Sequence, residues 1–169
     1  GAARRAVPGR MIRLLASFMR DTRGVAAAEM AMVTPLLMVI MFGIFEAGNF
    51  FWNEHIVVKA VRDGARFAGR QSFDAYSCGG VEDAGVGDAI NNLTRTGTTD
   101  GTGDLRVSGW AADDVTISVS CNVDIADGIY KGRANGAPRV TVTATVPYPS
   151  LFGALGFDTA NLSVSASAQ

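Results

Sequence analysis

The sequence predicts an α+β chain with a single-span long N-terminal helix, membrane half first and amphipathic exported half second, carrying a small antiparallel β-sheet head. Three observations carry this reading. Val25 to Phe45 is a run of 21 residues with one charge. Small apolar residues recur every three or four positions beyond it, and three later segments alternate apolar with Ser or Thr. At 169 residues, 48% hydrophobic and 18% charged, the chain has room for one domain and an appendage.

Charge is distributed unevenly behind a formal net value of −1. Arg4, Arg5, Arg10, Arg13, Arg20 and Arg23 face only Asp21 in the first 24 residues, whereas from Gln71 onward eleven acids outnumber five bases. Such an acidic region argues against nucleic acid as a partner. Residues 1–24 read as a basic cytoplasmic leader. Met11 is an alternative translation start that would shorten this leader without touching Gly24.

Residues 25–46 read as a transmembrane helix, because the 21-residue run spans about 31 Å as a helix, against about 30 Å of bilayer hydrocarbon. A buried core helix is the competing reading, but the remaining sequence is too rich in Gly, Ser and Thr to cover the run on every side. The arginines before the run outnumber Lys59, Arg62 and Arg66 after it, which keeps the N-terminus cytoplasmic and exports the rest. The exit FEAGNFFWNEH lacks the small-residue pattern of signal-peptidase cleavage, so an anchor is expected and the lipid bilayer is a partner.

Glu29 is the charge inside the run. A carboxylate there is costly in lipid and marks a functional position by default. The alternative is that Glu29, one turn from the interface, reaches the headgroups and does nothing more. Pro35 removes a backbone donor and is expected to kink the helix. Ala27 with Ala31, and Gly43 with Ala47, place small residues four apart, as close helix packing requires.

Residues 47–70 read as the amphipathic continuation of the same helix. Val57, Ala60, Val61, Gly64, Ala65 and Ala68 fall on one side, with Lys59, Arg62, Asp63, Arg66 and Arg70 on the others. Counted from Val25 to about Gly69, this is a rod on the order of 65 Å. Phe50, Phe51 and Trp52 stand where an outer aromatic belt is expected, and His55 reads as an interfacial side chain.

Residues 71–169 read as an exported Gly-, Ser- and Thr-rich α+β head. A short helix is expected over Val86 to Leu93 and a loop over Arg95 to Asp104. The alternating segments VTISVSC, VTVTATV and LSVSASA place Val115, Ile117, Val119 and Cys121, then Val140, Val142, Ala144 and Val146, then Leu162, Val164, Ala166 and Ala168, on single faces. The apolar side is expected to lie on the upper half of the helix. Cys78 and Cys121 are the two cysteines, both in the exported part, and a bridge closing about forty residues would add roughly 4 kcal/mol to a core of small side chains. Two free thiols are the competing reading, since Cys121 shares the inward face of its strand.

Weaker features complete the head. Asp100 and Asp104 supply candidate calcium oxygens in a loop without EF-hand length or a bidentate Glu, and a solvated turn is the favoured reading. Asn92 and Asn161 open glycosylation sequons by pattern. The segment PYPSLFGALGF, residues 147 to 157, has three readings: a membrane contact, a partner contact or a crossover between strands.

Gly24 followed by VAAAE resembles a type IV prepilin signal, whose peptidase cuts after Gly on the cytoplasmic side, leaves the apolar helix on the mature protein and prefers Glu at the fifth mature position. The resemblance extends over residues 20 to 70. RGVAAAEMAMVTPLLMVIMFGIFEAGNFFW and VVKAVRDGARFAGR are similar to the TadE-like pseudopilins of the tight-adherence (Flp) pilus system, with the final block carried by Ala60, Arg62, Asp63, Gly64, Ala65 and Arg66. Met30 stands where the major Flp pilins usually have Tyr after the Glu, and the chain is much longer than those pilins. Both departures favour a minor pseudopilin.

The resemblance implies processing between Gly24 and Val25 and a role for Glu29 in setting the register of packed helices. It further implies a pilin-like fold and a bacterial inner-membrane location, with a periplasmic head and possible entry into the pilus. The implied partners are prepilin peptidase, other Tad/Flp pilins and pseudopilins, and the inner-membrane assembly platform. No enzyme activity and no cofactor are expected, because the sequence offers no nucleophile beside a base, no catalytic carboxylate pair, no phosphate loop and no Cys/His metal constellation. Two rival readings remain: an uncleaved membrane-anchored envelope protein whose head binds a partner or adheres, and a calcium-dependent adhesive head on a pilin-like stalk.

Overall fold

A computed structural model describes residues 23–122, 130–131, 136–153 and 162–169. The basic leader up to residue 22, residues 154–157 of the apolar connection and Asn161 of the second sequon lie outside them. The chain divides between Phe45 and Glu46 into two units.

The first unit is the N-terminal part of helix α1 (Arg23–Ala68). Every residue from Gly24 to Phe45 is exposed, Met32 by 82% and Val39 by 69%. An apolar helical surface of that extent needs lipid or other apolar helices around it. It is the one helix among the described residues long and apolar enough to cross a membrane, and it fits a single-pass anchor. The helix runs on through Pro35. Pro35 cannot donate to the preceding turn; next to it Thr34 Oγ1 donates to Met30 O at 2.6 Å, a side-chain bond that helices in lipid accommodate without water.

The second unit is an α+β head. The remaining turns of α1 bury Val57, Ala60, Val61, Ala65 and Ala68 and leave Lys59, Arg62 and Arg66 exposed. Small side chains on the inner face let the rest of the head approach closely. The C-terminal carbonyls of α1 are satisfied by Gly69 N to Ala65 O at 2.9 Å, by the Tyr76 hydroxyl donating to Ala68 O at 2.8 Å and by Gln71 Nε2 donating to Phe67 O at 3.2 Å. Burial pushes the Tyr76 hydroxyl above the ordinary tyrosine range, which keeps it a neutral donor.

A short 3-10 helix (Phe73–Ala75) leads into a hairpin of β1 (Tyr76–Ser77) and β2 (Gly80–Val81), paired antiparallel. Helix α2 (Ala84–Thr96) follows. It is longer than the Val86 to Leu93 expected, and Arg95 and Thr96 belong to it, not to the loop. Its ends have specific causes: Asp83 Oδ1 accepts from Gly85 N at 2.9 Å and Val86 N at 3.3 Å, and Gly97 closes the helix in the left-handed region at φ 86°.

After a second 3-10 helix (Ala112–Asp114) come β3 (Val115–Asn122), β4 (Ala137–Pro147) and β5 (Ser163–Ala168), in sheet order β3-β4-β5 and antiparallel throughout. The three alternating segments form these three strands, except that Leu162, expected on the inward face, lies just before β5 and is 51% exposed. Val115, Val119, Val140, Val142, Ala144, Val146 and Val164 are buried, while Thr116, Ser118, Ser120, Thr145, Ser163, Ser165 and Ser167 are exposed. The inner face joins α1 residues and Ile90, Val107 and Trp110 in one core. Strand β4 starts earlier than its alternation suggested and includes Pro138. A proline is tolerated there because β5 pairs only with Val142 to Pro147, so Pro138 has β3 on one side and no β5 partner on the other.

Candidate functional site

The features that point to function lie along α1 and at two places where the head grips it. At the N-terminal end, Gly24, Val25 and Glu29 are all helical and exposed, with Glu29 on the second turn of an apolar, uncovered surface.

The block Ala60 to Arg66 divides between two roles. Ala60 and Ala65 are in the head core, and Gly64 is where α2 crosses α1. A Cβ on Gly64 would collide with Thr94 Oγ1 and lie 3.5 Å from Thr94 Cβ and 3.7 Å from Ile90 O. Thr94 is fully buried and its hydroxyl is committed to Ile90 O at 2.7 Å, so it has little room to withdraw. Asp63 accepts from Arg106 Nη1 at 3.0 Å, an ion pair that joins α1 to the loop after α2. The same loop is held by Arg106 N to Arg95 O at 2.8 Å and by Arg95 Nε to Trp110 O at 3.2 Å. Arg62 and Arg66 point to solvent. The first set of residues thus fixes the head to its helix, and the second is available to a partner.

At the other end of the head, Glu46 and Asn49 grip the segment after β4, and Asn53 Nδ2 donates to Asn49 O at 2.8 Å on the same helix. The Tyr148 hydroxyl donates to Glu46 O at 3.1 Å and accepts from Asn49 Nδ2 at 2.9 Å; Asn49 Nδ2 also reaches Pro149 O at 3.0 Å. Glu46 Oε2 accepts from Leu151 N at 3.2 Å, while Glu46 Oε1 is shielded and meets no donor among the described residues. Phe50 packs edge-on to Tyr148 with centroids 5.2 Å apart. Burial raises the Tyr148 hydroxyl's pKa, Asn49's hydrogen bond opposes this, and the Glu46 carboxylate nearby raises it further. Of the three readings for residues 147 to 157, the described part belongs to the β4–β5 connection and is tied to α1. Sequence reasoning did not find this cluster. The signal present was only a Tyr beside two prolines and an acid at the end of an apolar run. Replacing Tyr148 by Phe is expected to cost the full-length chain in detergent about 1 kcal/mol in a urea melt, since the hydroxyl's part-buried bonds to Glu46 O and from Asn49 are lost while Asn49 keeps its bond to Pro149.

Cys78 and Cys121 form a disulfide with Cα atoms 5.2 Å apart, stapling the turn of the β1–β2 hairpin to the end of β3. The buried-thiol alternative for Cys121 does not hold. Asp100 and Asp104 are both exposed. Asp100 Oδ1 accepts from Thr102 N at 3.1 Å and Thr102 Oγ1 at 2.9 Å, bonds to backbone and hydroxyl that hold its carboxyl below the usual range. Such an arrangement closes an Asx turn within the chain. Among the described residues no three His, Cys, Asp or Glu side chains gather where they could hold a metal ion.

The first unit is an exposed apolar helix, and the second is a disulfide-stapled α+β head built on the α1 residues from Glu46 onward. Residues 24–66 match a protein-family model described as TadE-like protein. That stretch runs from the proposed processing site through the Ala60 to Arg66 block, in agreement with the resemblance seen in the sequence. No curated protein and no solved structure matched the chain.

Proposed function

We propose that this chain is a minor pseudopilin of a tight-adherence (Flp) pilus assembly apparatus. It is a non-enzymatic subunit held in the bacterial inner membrane by residues 25–46, N-terminus in the cytoplasm and head in the periplasm. Prepilin peptidase cuts it after Gly24, and Val25 becomes the new N-terminus. The helix then packs with those of other Tad/Flp pilins and pseudopilins at the assembly platform, helping to initiate or organise the pilus, with Glu29 setting axial register against a neighbouring α-amino group.

The observation that carries this reading is the uncovered apolar helix from Gly24 to Phe45 with Glu29 five residues after Gly24, inside the stretch that matches the TadE-like model. Its exposed surface supports packing against lipid and against other helices of the same kind. A single carboxylate in an otherwise apolar helix supports a specific partner, because a charge in such a segment is costly in lipid and marks a functional position by default.

Intact mass of the membrane-extracted chain tests it, with and without a cognate prepilin peptidase. The mass of residues 1–24 is expected to be lost only when the peptidase is present, and retained in Gly24→Ala. An unchanged mass beside an active peptidase, shown on a control substrate, rejects processing and favours the uncleaved anchored protein.

A further inference from the structure

The exposed side of α1 within the head carries a line of cations. Lys59, Arg62 and Arg66 are spaced three and four residues apart, so they share one side of the helix, with His55 one turn before them, and all four side chains are exposed. The opposite side is committed to the core through Val57, Ala60, Val61 and Ala65. The acid in this block, Asp63, is taken by Arg106. The rest of the head is acidic, with Glu82, Asp88 and Asp113 exposed at the start of α2 and on the 3-10 helix beside it. Asn91 Nδ2 donating to Ala112 O at 2.8 Å holds those two elements together.

From this pairing of opposite charges on separate elements we infer that the Lys59/Arg62/Arg66 side of α1 is a docking surface for the acidic α2 and 3-10 region of a second copy of this chain. Guanidinium groups on a rigid helix present planar donor pairs suited to carboxylates. Exposed ion pairs are individually weak, so the contact depends on several acting together and on the membrane anchor, which confines two heads to the same side of one surface and raises their effective concentration. Because the two patches differ, each copy can offer its acidic patch to the next, and the contact can propagate along a row. The inference needs the anchor but not the processing step.

The chain has two lysines, Lys59 and Lys131, and this makes the contact directly readable. Full-length chain, half of it labelled with nitrogen-15, is reconstituted in phosphatidylcholine vesicles and treated with a water-soluble carbodiimide, which joins lysine amines to carboxylates in contact. Mass spectrometry is expected to find mixed-isotope peptide pairs linking Lys59 to Glu82, Asp88 or Asp113. Their yield should fall roughly fivefold or more when salt is raised from about 0.05 M to about 0.5 M, or in the double variant Arg62→Glu, Arg66→Glu. Mixing that variant with Asp88→Arg, Asp113→Arg copies should restore it. Absence of mixed-isotope links from Lys59, links to Lys131 alone, or a yield indifferent to the charge reversal each overturns the inference. The vesicles are zwitterionic, so anionic lipid cannot occupy the cationic side. No peptidase is used, so this result and that of the processing experiment are independent.

Discussion

Removing the Cys78–Cys121 bridge, as the double variant Cys78→Ser, Cys121→Ser, is expected to destabilise the head by about 4 kcal/mol. The bridge joins residues 43 apart, so without it the unfolded chain regains the freedom of a long loop. The head has little to offset that loss, because apart from Ile117 the inner face of its sheet is built mostly from valines and from Ala144, Ala166 and Ala168, and small side chains bury little area. The measurement is a urea titration of the full-length chain in detergent, in a Trp52→Phe background. Trp110, 1% exposed, then reports the head core by fluorescence, whereas Trp52, 68% exposed, would add only a solvent-facing signal. A loss below about 1 kcal/mol would mean that the hairpin and β3 hold together without the staple.

Gly64→Leu should cost at least about 3 kcal/mol, at or beyond the upper end of what overpacking usually costs. A leucine there must separate two helices whose contact leaves no room even for a Cβ, since the obstructing atom is the hydroxyl of fully buried Thr94. Gly64→Ala isolates the cause. Alanine favours the helix by up to about 1 kcal/mol, and this partly offsets the collision. In the Thr94→Ala background the obstructing hydroxyl is gone, so Gly64→Ala should there be neutral or stabilising. A double-mutant cycle by urea titration reads the coupling, and equal effects of Gly64→Ala in both backgrounds would reject the close crossing as its origin.

The Gly64 contact also shows how the Ala60 to Arg66 block was and was not legible. Period placed Ala60, Gly64, Ala65 and Ala68 on one side of a helix, and the structure buries that side. What Gly64 is small for could not be read, because Thr94 lies on another element. The same holds for Asp63, whose partner Arg106 is 43 residues away, and for Glu46 and Asn49, whose partners at Tyr148 to Leu151 are 99 to 105 residues away. The hairpin β1–β2 escaped notice for a different reason: strands of two residues have no alternation to detect.

The boundaries of α2 had a local signal that went unused. Asp83 before the helix and Gly97 after it are a capping pair, and they place the ends where the structure has them. Read that way, Arg95 falls inside the helix, in position for its bond to Trp110 O.

By itself the sequence determined the apolar helix, its amphipathic continuation and the inward faces of β3, β4 and β5. Each of these is a periodic property of neighbouring residues, set by backbone geometry before any distant contact forms. The pairing of Cys78 with Cys121 was also readable, since the chain has two cysteines and both lie in the exported part. Only the tertiary structure decided that Gly64 admits Thr94, that Asp63 takes Arg106 and that Tyr148 bridges Glu46 and Asn49. These pairs depend on how loops close around a shared core. Many pairings are compatible with the same local pattern, and packing density together with the need to satisfy buried polar groups selects among them.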